Sequence, residues 1–262
     1  SEASFTSAPS LSVKAALLIG DSNGKLLFID TSDGSLIRTF DLGSNTNYPA
    51  VSTLDGTIFV GADEIFSFTQ DGDLIWKNGI EDHKTSGYLA LTASGDVVVP
   101  LSSMGEILIK FKKGNGEYDH IWLTRTSAVL SQASMAYFLK DGYLFGVDTK
   151  KPLGENVLWN ARVGNGAAAN TAWMEAPVVS TAGTVYAMGN PIHSGIVGPL
   201  YALINNGEDK IELKLGTVWE SPVIDPKGRI YLITTKSYGY LPELTVIMGD
   251  IGGLKNPWPM QG

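Results

Sequence analysis

The chain has 262 residues, enough for one large domain or two small ones, and a chain of that length buries about 70–75% of its unfolded surface without cross-links. It contains no cysteine, which excludes a disulfide framework and thiolate metal sites, and its formal charge of −8 disfavours nucleic acid and anionic membrane surfaces as partners. No stretch approaches the ~18 apolar residues of a membrane-spanning helix, and 30 glycines point to a turn-rich, all-β protein.

The opening "SEASFTSAPS" has neither the basic nor the apolar region of a signal peptide. Residues 1–7 are expected to be an exposed linker, of the kind left after a signal or lipid-anchor segment is removed. "LSVKAALLIG" (11–20) supplies the first hairpin arm. "GKLLFIDTSDGSLIRTF" (24–40) then alternates apolar and polar residues, breaks at Asp-Gly and resumes, which predicts two short strands joined by a glycine turn.

That hairpin recurs along the chain, in "EIFSFTQDGDLIWK" (64–77), "EILIKFKKGNGEYDHIW" (106–122), "YLFGVDTKKPLGENVLW" (143–159), "PLYALINNGEDKIEL" (199–213) and "ELTVIMGDIGGLKNPWPM" (243–260). The turn glycines are Gly34, Gly72, Gly116, Gly154, Gly207 and Gly252, at intervals from 38 (Gly34 to Gly72) to 53 (Gly154 to Gly207). A second hairpin precedes most of them: "PAVSTLDGTIFVG" (49–61), "LALTASGDVVVP" (89–100), "APVVSTAGTVYAM" (176–188) and "SPVIDPKGRIYLI" (222–233), turning at Gly56, Gly95, Gly183 and Gly228. "AVLSQASMAYFLKDG" (128–142) fits the missing member with a degraded turn.

Each unit is therefore four short strands, and units of that size recurring in series predict a β-propeller of about six four-stranded antiparallel blades, against alternatives of five or seven. A two-sheet β-sandwich would explain the alternation but not the recurrence. The expected organisation is a single propeller domain over 8–262, with approximate blades 8–44, 45–80, 86–125, 126–164, 174–216 and 219–262.

"LLFIDTSDGSLIRTF", "YLFGVDTKKPLGENVLW", "SPVIDPKGRIYL" and the closing "NPWPMQG" resemble the repeats of pyrroloquinoline-quinone-like (quinoprotein-like) propellers, in which a strand of the form Leu-Tyr-Ala-Leu-Asp is followed by a glycine turn and a strand ending in Trp. The terminal aromatic is matched by Phe40, Trp76, Trp122, Trp159 and Trp258, rings suited to filling the gap between neighbouring blades. Dehydrogenases of this family hold the quinone over Ca²⁺ with an Asp base, commonly have eight blades, and many carry an adjacent cysteine pair. With no cysteine, room for six units and no matching Glu/Asn/Asp set, the resemblance implies the non-catalytic branch. That branch contains the scaffold subunit of outer-membrane protein assembly and many surface-anchored or secreted proteins. The implied protein is exported to the periplasm, cell surface or exterior, monomeric, free of cofactor, and not an enzyme.

Other chemistries find little support. His83, His120 and His193 lack paired spacing for a zinc site. "DSNG" (21–24), "DTSDG" (30–34) and "TQDGD" (69–73) gather oxygens as Ca²⁺ loops do, but Asp-Gly between strands is ordinary turn chemistry, so Ca²⁺ stands only as the weaker reading. "SFTQDGDLIW" is near the Asp-box of sialidase propellers, with its Gly-to-Trp spacing one residue too long and no arginine triad among Arg38, Arg125, Arg162 and Arg229. "GNGAAAN" (164–170) matches a dinucleotide loop but is followed by another blade rather than a βαβ unit. Lys110, Lys112 and Lys113 read as the solvated end of a strand.

Loop length gives the functional lead. Turns within the hairpins are short, whereas "PLSSMG" (100–105), "GNPIHSGIVGP" (189–199), "TKSYGYLP" (235–242), "NGIEDHKTSGY" (78–88) and "GNGAAANTAWME" (164–175) are long, and in a four-stranded meander these connections emerge at one end. That end carries Tyr88, Trp173, His193, Trp219, Tyr238 and Tyr240, a mixture of rings and hydrogen-bonding residues that suits a protein partner, with carbohydrate as the alternative.

Overall fold

The computed structural model describes residues 4–14, 16–102, 106–123, 129–130, 135–140, 142–163, 177–180, 182–188, 199–204, 207–213, 215, 217–218, 222–225, 227–235 and 241–249. The chain divides into two compact units, 1–127 and 128–262. Among the described residues every regular element is a strand, and all pairings are antiparallel, as the alternation and turn glycines lead one to expect.

The first unit holds three sheets. One is β1 (Ser10–Leu11), β2 (Ala16–Gly20), β3 (Lys25–Asp30) and β4 (Leu36–Asp41); the next is β5 (Val51–Ser52), β6 (Ile58–Gly61), β7 (Ile65–Phe68) and β8 (Leu74–Asn78). The third comprises β9 (Lys84–Thr85), β10 (Ala90–Leu91), β11 (Val97–Ser102), β12 (Glu106–Phe111) and β13 (Tyr118–Leu123), with β9 and β10 sharing one edge of β11. Each sheet is a meander in chain order. Leu18, Leu26 and Phe28 pack with Ile58, Val60, Phe66 and Phe68, and the other face of the second sheet, with Phe59, Ile65 and Trp76, packs on Val97, Val99, Ile109 and Phe111. Covered on both faces, β6 and β7 are apolar or small at every position rather than alternating. Each fully buried Phe in these layers contributes about 1.5–3 kcal/mol.

The second unit repeats the plan. Its sheets are β14 (Val129–Leu130), β15 (Met135–Lys140), β16 (Tyr143–Asp148), β17 (Val157–Arg162); β18 (Val178–Val179), β19 (Val185–Met188), β20 (Leu200–Ile204), β21 (Asp209–Leu213); and β22 (Thr217–Val218), β23 (Val223–Ile224), β24 (Arg229–Thr235), β25 (Glu243–Met248), where β22 and β23 share one edge of β24 and β25 takes the other. Tyr137, Leu139 and Leu144 meet Val185, Ala187 and Leu203, while Tyr186, Leu200 and Ala202 meet Ile230, Leu232 and Ile247. The pairing of Val129 with Tyr137 and Leu130 with Ala136 makes the degraded hairpin at 128–142 a real one.

One turn design recurs between first and second strands. The N–H groups of Ser12, Thr53, Thr92, Ser180 and Asp225 each donate to the carbonyl four residues on at 2.9 Å. Their side-chain oxygens accept from the N–H of that same later residue at 2.9–3.1 Å. Gly56, Gly95, Gly183 and Gly228 sit one residue before the end, with φ between 77° and 91°, a conformation L-residues resist.

Two expectations are corrected. Ser4–Ser7, read as exposed linker, is tied to the end of β2: Thr6 N–H donates to Gly20 O (2.9 Å), and Ser7 Oγ accepts from Gly20 N–H (2.8 Å). The two-residue β1 leaves that edge of β2 open, and the missing Cβ of Gly20 makes room chiefly for Thr46, which a side chain there would meet. The second concerns Phe40. The outer strands β4, β8, β13 and β17 of the first four sheets each carry a one-residue bulge, and the residue just after it in the strand is Arg38, Trp76, Trp122 or Trp159. Arg38, not Phe40, holds the tryptophan's register; Phe40 lies two residues along and, as expected of it, fills the gap to the next sheet, packing on Phe66 and Phe68 with centroids 6.0 and 4.6 Å apart.

Candidate functional site

At one end of the first unit, the segments 44–48, 61–64 and 84–88 are knitted together. The turn 61–64 closes through Ala62 N–H to Glu64 O (2.9 Å). Asp63 N–H then donates to Ser44 Oγ (3.0 Å) in the segment leading from β4, and Thr85 N–H of β9 donates to Ala62 O (3.1 Å). Lys84 pairs with Asp63 at 3.0 Å and Lys77 with Glu64 at 2.8 Å. Both pairs are exposed and add little stability individually. The backbone bonds fix the three segments.

Between these segments lies a cleft of about 270 Å³ lined by Ser44, Asn45, Asn47, Tyr48, Asp63 and Lys84 over a floor of Gly61 and Ala62. A side chain at Gly61 would stand 2.5 Å from Thr85 Oγ1, so glycine there lets β9 close over the turn. Tyr48 meets Tyr88 edge to face, with centroids 5.6 Å apart and planes at 71°, and Tyr88 remains half exposed. A shallower groove continues past Asp63 and Lys84 along Glu64, Asn78, Ile80, Glu81, Asp82 and His83.

That groove is shaped by a tight turn in which His83 N–H donates to Ile80 O at 2.9 Å with Asp82 at φ 61°. The His83 ring donates from Nδ1 to Glu81 O at 2.9 Å, which leaves Nε2 as the acceptor of the neutral ring. Among the described residues no three His, Asp or Glu side chains gather as a metal site.

At the opposite end, the capped turns carry ion pairs of a different kind. Lys14 of the first sheet pairs with Asp71 of the second (2.7 Å), and Asp55 of the second pairs with Lys113 of the third, with the signs exchanged. The Lys113 ammonium and the Thr53 hydroxyl hold Asp55 far below the usual carboxylate range. In the second unit, taken by itself, burial opposes ionisation of Asp225 in its own capped turn, but hydrogen bonds from the Arg229 backbone and guanidinium, the Lys227 N–H and the Tyr231 hydroxyl prevail, lowering its pKa to about 2. These groups brace turns.

Of the residues expected to form the contact patch, Tyr88 packs on Tyr48 of the cleft wall without itself lining the cleft, whereas Trp173, His193, Trp219, Tyr238 and Tyr240 lie outside the described residues. Asn45, Asn47 and Tyr48 were not anticipated. The available signal was "SNTNYP" (44–49), a run rich in amide side chains in the longer of the two types of connection.

No protein-family model matches the chain, and no curated protein matches it. Among solved structures it is similar to one titled "The crystal structure of BamB from Moraxella catarrhalis", with a TM-score of 0.47 and 16% sequence identity over 88% of this chain and 82% of that one.

Proposed function

We propose that this chain is a six-bladed, quinoprotein-like β-propeller over 8–262 that acts without catalysis or cofactor as a protein-interaction module, exported to the periplasm, cell surface or exterior. The observation that carries the reading is the backbone-locked meeting of segments 44–48, 61–64 and 84–88, which holds Tyr88 exposed against Tyr48. A ring held in place before contact loses little entropy on binding, and tyrosine is among the side chains favoured at interface anchors. The family resemblance of the repeats supports the propeller and the export. Trp173, His193, Trp219, Tyr238 and Tyr240 complete the proposed contact set.

The test is capture from an envelope extract of the source organism, with wild type, Tyr88→Ala and Tyr238→Ala/Tyr240→Ala as baits, followed by titration with the purified captured polypeptide. The reading expects one polypeptide held by wild type and weakened by about tenfold or more in Tyr88→Ala, at unchanged circular dichroism. Equal affinity across the three baits overturns it.

A further inference from the structure

The cleft beside Tyr48 has a chemistry of its own. Among the described residues the carboxamides of Asn45 and Asn47 are exposed and make no side-chain hydrogen bond, so each presents an unspent donor pair and an unspent acceptor at the mouth. The wall opposite is the Lys84–Asp63 pair, whose remaining hydrogen-bonding positions also face solvent. The floor is backbone at Gly61 and Ala62, and the one broad apolar surface is tyrosine.

Those features discriminate among ligands. An apolar or flat aromatic ligand needs walls of aliphatic and aromatic side chains, and here tyrosine is the single large apolar contributor. An anion needs an unpaired cation, and Lys84 is paired. A cationic side chain would meet the Lys84 ammonium on entering. What fits is a neutral molecule whose rim both donates and accepts hydrogen bonds and which offers one C–H face to a tyrosine ring. We infer that the cleft binds a pyranose sugar, with Asn45 and Asn47 bonding adjacent hydroxyls and the Tyr48 ring, braced by Tyr88, taking the C–H face. This inference stands beside the scaffold reading and does not rest on it.

The experiment uses the full chain, isotope-labelled, with amide and side-chain shifts followed by NMR. The probes are methyl α-glucopyranoside, methyl α-mannopyranoside, methyl β-galactopyranoside and N-acetylglucosamine, then maltotriose and chitotriose. Concentrations run to about 50 mM, since a few hydrogen bonds and one stacking face support millimolar affinity. The inference expects saturable shifts at Asn45, Asn47 and Tyr48 with at least one probe, weakened by about tenfold in Asn45→Ala/Asn47→Ala at unchanged melting temperature. Affinity should hold within about twofold between roughly 0.05 and 0.5 M NaCl, because no charge is neutralised. Tighter binding of a trisaccharide identifies a residue within a glycan chain, and equal binding a free sugar; either supports the inference. No saturable shift with any probe, equal binding by the double variant, or loss of binding in salt overturns it. Polypeptide capture in sugar-free buffer reads out separately, so failure of one reading leaves the other standing.

Discussion

Trp76 of the second sheet lies against Gly116 of the third: a Cβ on Gly116 would stand 2.7 Å from the indole, whose Nε1 donates to Lys113 O at 2.7 Å. The second unit repeats the relationship, where a Cβ on Gly207 would stand 2.7 Å from Trp159. In the first sheet Arg38 takes the ring's place: a Cβ on Gly72 would stand 3.1 Å from its Cδ, and its guanidinium pairs with Asp73 at 2.7 Å. The outer tryptophans are thus spacers between sheets, and glycine is required beneath them by contact as well as by φ.

Gly116→Ala and Gly207→Ala are therefore expected to destabilise more than Gly34→Ala. All three glycines have φ between 70° and 82°, which costs an L-residue about 1–2 kcal/mol, but nothing lies within 4 Å of a Cβ at Gly34. The collision with indole adds about 1–3 kcal/mol. Urea unfolding followed by tryptophan fluorescence compares the three, and equal losses would remove the tryptophan contact from the account.

Ser67, paired opposite Trp76 in β7, is wholly buried, and its hydroxyl has no partner among the described residues. Ser67→Ala deletes an unsatisfied polar atom at almost constant shape. It is expected to raise stability by about 1 kcal/mol or leave it unchanged. A loss greater than that in the same urea assay would mean the hydroxyl is bonded.

Acid should act through the braced turns. Asp225, with its pKa lowered to about 2 against 3.8 for an ordinary Asp, binds a proton more readily in the unfolded chain. Its contribution is full above about pH 4 and disappears as pH falls through about 2. Asp55, held lower still by Lys113 and Thr53, follows the same sign. Asp225→Asn and Asp55→Asn should each flatten the decline of melting temperature between roughly pH 4 and 2 while costing stability at neutral pH; unaltered acid profiles would show that these pairs do not couple to folding.

Asp82 is the non-glycine residue with positive φ among the described residues, at 61°. Asp82→Gly should be neutral or stabilising by up to about 1 kcal/mol, and Asp82→Val destabilising by about 1–2 kcal/mol, because a β-branched residue tolerates that backbone least. Thermal denaturation of the two variants side by side gives the comparison.

Alternation and glycine spacing carried the secondary structure because both are local. Every hairpin glycine expected to turn the chain and lying among the described residues has positive φ, and β1–β4, β5–β8, β14–β17 and β18–β21 are groups of four as read, whereas β9 and β22 are additional strands on the edges of β11 and β24. What sequence could not carry was register. A one-residue bulge before Arg38 puts Arg38, rather than Phe40, in the register that tryptophan holds in the following sheets, and no composition rule announces a bulge. The doubling of the edge of β11 by β9 and β10 was likewise hidden, since two paired residues on either side of 86–89 give no periodicity to detect. The site was half legible for a related reason. Tyr88 stood out as an aromatic in a long connection, but Asn45 and Asn47 become partners of the same cleft only because Ser44 and Ala62 bind the turn and β9 together.

The capped turns also bear on how the chain reaches this form. In each, a Ser, Thr or Asp closes its own hairpin across four residues, so the first ordering step needs no distant partner. Each sheet is then completed by its sequence neighbours, and the search for pairing never extends far along the polypeptide. Because each sheet pairs neighbouring segments, N-terminal segments can begin before the rest is made. A chain emerging from a ribosome or threading through a translocation pore could therefore lay down its sheets in the order in which they appear, each offering the next a ready apolar surface.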